Sequence, residues 1–92
     1  MNIDDNYRQV ADCLLEEMGD DALLFNPNTS TTLHLNGPSR LVWGLCTGEH
    51  SMADIIAALQ EAFPDQASQI PDDVIEVAKE LKNNNVIEKV NA

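Results

Sequence analysis

Basic residues are scarce in this chain. Five lysines and arginines stand against sixteen aspartates and glutamates, a net charge of −11 over 92 residues. A phosphate backbone needs a positive footprint on its partner, so this balance argues against nucleic acid and equally against an anionic membrane surface. It favours solubility and long-range attraction to a basic partner surface. The two cysteines, Cys13 and Cys46, lie far apart in sequence with no CxxC. They read as two reduced, partly buried thiols, with a disulfide between them as the alternative. The four glycines are single residues, which excludes a glycine-rich phosphate loop. No apolar run approaches the roughly 20 residues needed to span a membrane. The first 21 residues hold seven acids, one base and no long apolar core, unlike a signal peptide. The cytoplasm is the expected compartment.

What remains is a chain long enough for one domain, 1–92, with an ordered core over about 8–90. Residues 1–9 are polar and expected to fray, with Tyr7 able to adhere to the body of the domain. Residues 10–18 suit a strand or, nearly as well, a short helix. The turn signal Gly19-Asp20-Asp21 and the strand-like ALLFN after it favour the strand. Asn26-Pro27-Asn28 is a second turn, and TTLHL a third strand in which Thr31, Leu33 and Leu35 face one way and Thr32 and His34 the other. The simplest assembly is a three-stranded antiparallel meander, one face of which must be covered by the remainder of the chain.

Three helical patterns supply that cover. Asn36 or Gly37 can cap the first, Leu41, Val42, Leu45 and Cys46 share one side, and Gly48 is placed to stop it. Trp43 lies at the border of that apolar face, either anchoring the helix against the sheet or standing exposed in an interface. Ser51 caps the second helix, with Asp54 completing a capping box and an apolar face of Met52, Ile55, Ile56, Leu59 and Phe63. Pro64 closes it. Pro71-Asp72-Asp73 opens a third helix running to about Asn84, with Val74, Val77, Ala78 and Leu81 as its inner stripe. Ile75, Lys79 and Lys82 form a second stripe about a third of a turn away. Asn83-Asn84-Asn85 is a stop, and residues 86–90 can form a short closing strand.

Residue types that carry chemistry are present but not gathered. His34, His50, Cys13 and Cys46 lack ligand spacing, so no metal or other cofactor is expected. Cys46 lies four residues from His50, but a helix stop between them leaves it as core filler rather than a nucleophile. The acidic pairs Asp4-Asp5, Glu16-Glu17, Asp20-Asp21 and Asp72-Asp73 fall at ends, edges and turns, where they are solvated. A non-enzymatic protein is expected. Charge is also uneven: residues 22–48 contain no acid, and Arg40 is their sole charge. An uncharged strand can be a core element, or an edge kept free of charge because another chain pairs with it.

An ordered set of residues resembles PqqD-like proteins, the peptide-recognition domains of ribosomal-peptide modification systems. The set is Leu35-Asn36, Val42-Trp43, Leu45, Gly48, Ser51, Ile55-Ile56 and Leu59, then Asp73-Val74, Leu81 and Val86-Ile87. The resemblance implies an α+β, winged-helix-like fold and a non-catalytic chaperone or adaptor. In such proteins the leader segment of a precursor peptide adds as a strand between the third strand and the third helix. Carried onto this chain, that site is Thr31, Thr32, Leu33, His34 and Leu35 on one side and Ile75, Lys79 and Lys82 on the other. Lys79 and Lys82 can pair with an acidic leader, or simply balance Glu76 and Glu80. The resemblance further implies a modifying enzyme as second partner, often a radical enzyme using S-adenosylmethionine, in pyrroloquinoline quinone (PQQ) biosynthesis or another pathway, lasso peptides among them. The chain departs from the family pattern at Asn85, where a glycine commonly precedes the final hydrophobic pair. Its first strand carries Asp12, Glu16 and Glu17 in place of basic and aromatic residues. Two other classes compete: a winged-helix regulator, for which the acids of the third helix are poor physics, and an acidic interaction subunit that binds no leader.

Overall fold

The computed structural model describes residues 2–90, in the order β1 (Asn6–Gln9), β2 (Leu14–Met18), β3 (Asp21–Asn26), β4 (Thr31–Leu35), α1 (Gly37–Leu45), β5 (Thr47–Ser51), α2 (Met52–Ala62), a 3-10 turn (Pro64–Gln66), α3 (Ile70–Asn83) and β6 (Ile87–Lys89). The fold is α+β and winged-helix-like, with an N-terminal three-stranded antiparallel sheet and three helices. That sheet is the expected meander, in the order β2-β3-β4. Its registers pair Ala22 with Leu35 and Leu24 with Leu33, so Ala22, Leu24 and Leu35 enter the core together. Thr32 and His34 are exposed on the opposite face.

The helices form where local signals direct them. The Asn36 side chain accepts from the Ser39 amide at the start of α1, and Pro38 fits the first turn without loss of a hydrogen bond. Ser51 and Asp54 complete a reciprocal capping box at α2. At the end of α3 the Asn85 amide donates to Lys82 and the Val86 amide to Leu81, at 3.0 and 3.1 Å, and Asn85 takes φ 60°. This is a Schellman closure, with buried Val86 and Leu81 as its apolar contact. Asn85 therefore fills the left-handed position that glycine would otherwise occupy, a conformation asparagine tolerates better than most residues.

Four expectations are corrected. Of residues 1–9, expected to fray, Met1 lies outside the described residues and the rest do not simply fray: β1 is the central strand of a second sheet, β5-β1-β6, and Tyr7 is 1% exposed. The only apolar residue of Asn6–Gln9 is Tyr7, too little for alternation to reveal a strand whose partners lie some 40 and 80 residues away. Gly48 does not stop α1. The helix ends at Leu45, capped by the Cys46 amide on the Trp43 carbonyl. Gly48 instead sits in β5 at φ 90°, a conformation that favours glycine, where the register with β1 is irregular. Leu41 is not on the buried side of α1, and Phe63 is not buried at the end of α2; they are 44% and 45% exposed.

Trp43 resolves as the anchor. It is 9% exposed, and its Nε1–H donates to the Val86 carbonyl at 3.1 Å. The Gln9 side chain donates to the Trp43 carbonyl at 3.0 Å and the Gln9 amide to the Cys46 carbonyl at 2.9 Å. The second sheet is thereby fastened to the end of α1. The first is fastened by Asn26, the one buried polar side chain among the described residues. Its Nδ2–H donates to the Asn85 carbonyl at 2.8 Å, and its Oδ1 accepts from the Asn28 amide at 2.9 Å.

Candidate functional site

Two sheets give four edge strands, β2 and β4 in one and β5 and β6 in the other. An unpaired edge offers free N–H and C=O groups to any passing strand, and charged side chains are the usual guard against this. Glu16 and Glu17 guard β2, Glu49 guards β5, and Glu88 and Lys89 guard β6. β4 alone carries no aspartate, glutamate, lysine or arginine. Its Thr31 and Leu33 are half-buried, Thr32 and His34 are exposed, and Leu35 is sealed in the core. His34 Nε2 lies 3.1 Å from Asp21 Oδ2 on the neighbouring strand.

α3 borders the same core. Ile70, Val74, Ala78 and Leu81 are its buried stripe. At about 100° per residue, the helix then presents two flanks, one on each side of that stripe. Ile75, Lys79 and Lys82 occupy one flank, with Ile75 half-buried and both lysines exposed. Leu33 of β4 and Ile75 of α3 both pack at the margin of the core cluster. The lysines form no close ion pair with Glu76 or Glu80. Among the described residues Arg8 pairs with Glu88, Arg40 with Glu17 and Lys89 with Asp5, while Lys79 and Lys82 join no ion pair. They are the two lysine or arginine side chains without an ion pair among the described residues.

Asp73, Val77 and Glu80 occupy the other flank, and here sequence periodicity failed to mark a site. A cleft of about 760 Å³ opens between α1, α2 and the first turns of α3. Leu41, Leu59, Phe63, Ile70, Val74 and Val77 supply most of its wall, and Asp20, Arg40, Gln66 and Asp73 its polar lining. All these apolar residues lie on or beside amphipathic stripes, so each reads as core. The one available signal was a surplus: Leu41 and Phe63 widen their stripes beyond what one packing contact can cover.

The thiols are not poised for chemistry. Burial pushes the Cys46 thiol up to about 12, and burial followed by the neighbouring Asp12 raises that of Cys13. Both are therefore protonated at neutral pH, and neither is in a disulfide. Among the described residues no group of three or more His, Cys, Asp or Glu side chains could hold a metal ion, and no helix is long and apolar enough to cross a membrane.

The family model described as coenzyme PQQ synthesis protein D, PqqD, matches residues 21–87, the span from the start of β3 into β6. The solved structure of TbiB1 in complex with the TbiA(beta) leader peptide superposes with a TM-score of 0.75 at 15% identity, covering 92% of this chain and 99% of that one. At that identity the likeness is one of fold. No curated protein matches the sequence.

Proposed function

The chain belongs to the PqqD family, and from that premise we propose that it is a non-catalytic adaptor that binds the leader segment of a precursor peptide and presents it to a modifying enzyme. The leader adds as a strand to the outer edge of β4, Thr31–Leu35. Main-chain hydrogen bonds supply affinity, and alternate side chains select the partner. The observation that carries this reading is the contrast among edges: three are guarded by charge and β4 is not. TbiB1, which shares the fold, is itself a leader-peptide complex.

On this reading Leu33 and Ile75 seat hydrophobic side chains of the leader, and Lys79 and Lys82 attract its acidic ones. Leu35 contributes only its backbone, since its side chain belongs to the core. A disordered peptide loses entropy as it orders, so affinity falls in the nanomolar to micromolar range. The modifying enzyme is a radical S-adenosylmethionine maturase or its counterpart in another ribosomal-peptide pathway. A DNA-binding role has no comparable support, because α3 carries Asp72, Asp73, Glu76 and Glu80 against its two lysines.

An NMR titration with the precursor's leader peptide tests the site. Amides of residues 31–35 and 75–82 shift, and Lys79→Glu with Lys82→Glu weakens an acidic leader by about tenfold or more. Ile75→Asp weakens binding further than Glu88→Ala, the control on an exposed strand. Shifts confined to residues 2–21 would overturn the site and leave an acidic adaptor with a different binding face.

A further inference from the structure

On the open face of the first sheet, away from the core, the β4 edge carries one ring that main-chain pairing does not use, that of His34. We propose that His34, held by Asp21, is a second reading point for the leader, one that accepts a hydrogen-bond-donating side chain and rejects a carboxylate. This selection rests on leader binding by strand addition at β4 and acts on the opposite face of the added strand from Leu33 and Ile75.

The registers place the pair. Leu23 of β3 stands opposite both Glu16 of β2 and His34 of β4, so these three form one row across the open face. The ladder of β3 with β4 ends at Ala22 and Leu35, which leaves Asp21 one position past it. Asp21 Oδ2 lies 3.1 Å from His34 Nε2, and the two side chains are 42% and 55% exposed, so the ring is held but still reachable. A strand added to the outer edge of β4 continues the sheet. Every second side chain of that strand then falls on the open face, beside Thr32 or His34. The neighbouring row, Leu14, Phe25 and Thr32, carries no charge, so the polar choice is made at His34.

A neutral imidazole has one N–H and one bare nitrogen. The Asp21 carboxylate only accepts, so it draws the ring proton to Nε2 and leaves Nδ1 as an acceptor. A hydroxyl, amide or ammonium group of the leader donates to Nδ1. A carboxylate in that place faces a lone pair, with Asp21 and Glu16 on the same face and no lysine or arginine in any of the three strands to offset them. The α3 side is the reverse, because Lys79 and Lys82 draw acids there. The two faces of the added strand are thereby read by opposite chemistry. A slip of one residue exchanges those faces, so His34 and the two lysines together fix which leader side chains turn inward. His34 makes the contact; Asp21 is a positioning residue that acts through it.

Two synthetic strand peptides of about ten residues serve as probes. Both alternate Leu and Glu over their odd positions; one has Gln at every even position and the other Glu. At about pH 8, where an imidazole is neutral, NMR titration of the full chain shows the Gln peptide binding about tenfold or more tighter than the Glu peptide. His34→Gln, whose amide donates as well as accepts and which adds no charge, narrows that gap to about threefold or less. Imidazole nitrogen shifts report the tautomer directly. The free protein carries the ring proton on Nε2, Asp21→Asn moves it toward Nδ1, and the Gln peptide perturbs Nδ1. A gap unchanged by His34→Gln would assign the preference to the overall charge of −11 and overturn the proposal. So would a free protein with its ring proton on Nδ1. Shifts at residues 31–35 with equal affinity for the two peptides overturn this selection and leave strand addition standing. Absence of shifts there, with the precursor's own leader as well, overturns both.

Discussion

The two three-stranded sheets of this protein are built in opposite ways. The first, β2-β3-β4, is a run of neighbours joined by short turns, and its outer face stays open, with Leu14 63% and Met18 50% exposed. The second gathers β5 and β6 from the middle and end of the chain around β1 from its start. It places Tyr7 and Ile87 in the core and ties into α1 through Gln9. Local pairing is quick to form and leaves an edge to spare; long-range pairing fixes the ends of the chain. The sheet proposed to accept a ligand strand is thus the local one, and the remote one acts as its brace.

Breaking the brace has the largest effect. Tyr7→Ala removes a fully buried aromatic side chain from the central strand and lowers unfolding free energy by about 3–5 kcal/mol in urea denaturation. Leu14→Ala on the open face of the first sheet changes it by under about 0.5 kcal/mol. Near-equal values would erase the distinction between the sheets.

Next is the tie between the first sheet and the end of α3. Asn26→Ala leaves the part-buried hydrogen bond to the Asn85 carbonyl without its donor and the Asn28 amide without its acceptor. A loss of about 1–3 kcal/mol is expected. Hydrogen exchange quickens in β3 and β4 more than in β1, which shows that the two sheets are secured separately.

The joint of α1 with β1 can be read through pH. The Cys46 thiol is raised by burial from 9.0 to about 12. Between those values the unfolded chain has released this proton and the folded chain still holds it. Stability contributed by the neutral thiol is therefore complete below pH 9 and falls as pH rises toward 12, with a slope from this group no steeper than about 1.4 kcal/mol per pH unit. Cys46→Ala flattens the alkaline limb of the stability profile; an unchanged slope would show that the thiol ionises freely in the folded state.

The smallest effect sharpens the comparison without altering stability. Amides of Tyr7, Arg8 and Gln9, in a central strand, exchange slowly, whereas alternate amides of Thr31–Leu35 face an unpaired edge and exchange fast. Added leader peptide slows those β4 amides and leaves β1 unaffected. Uniform slowing of both strands would mean global stabilisation in place of strand addition.

Local chemistry in the sequence determined the meander, the caps at Asn36 and Ser51, the three helices and the core stripe of α3. Each of these rests on contacts between residues a few positions apart, or on a periodicity sustained over several turns. The uncharged edge of β4 and the two-stripe pattern of α3 were legible for the same reason. Only the tertiary structure decided the rest. β1 became a central strand because Thr47–Ser51 and Ile87–Lys89 come to lie on its two sides, a pairing no short-range pattern encodes. Gly48 moved from helix stop to an irregular position in β5 because the pairing with β1 requires φ 90° there, a backbone conformation that side-chain-bearing residues rarely adopt. Leu41 and Phe63 stay exposed on the wall of the cleft between α1, α2 and α3, and amphipathic period alone cannot tell a covered apolar position from an open one. Lys79 and Lys82 join no ion pair among the described residues although Glu76 lies one turn from Lys79, an outcome that spacing alone does not decide.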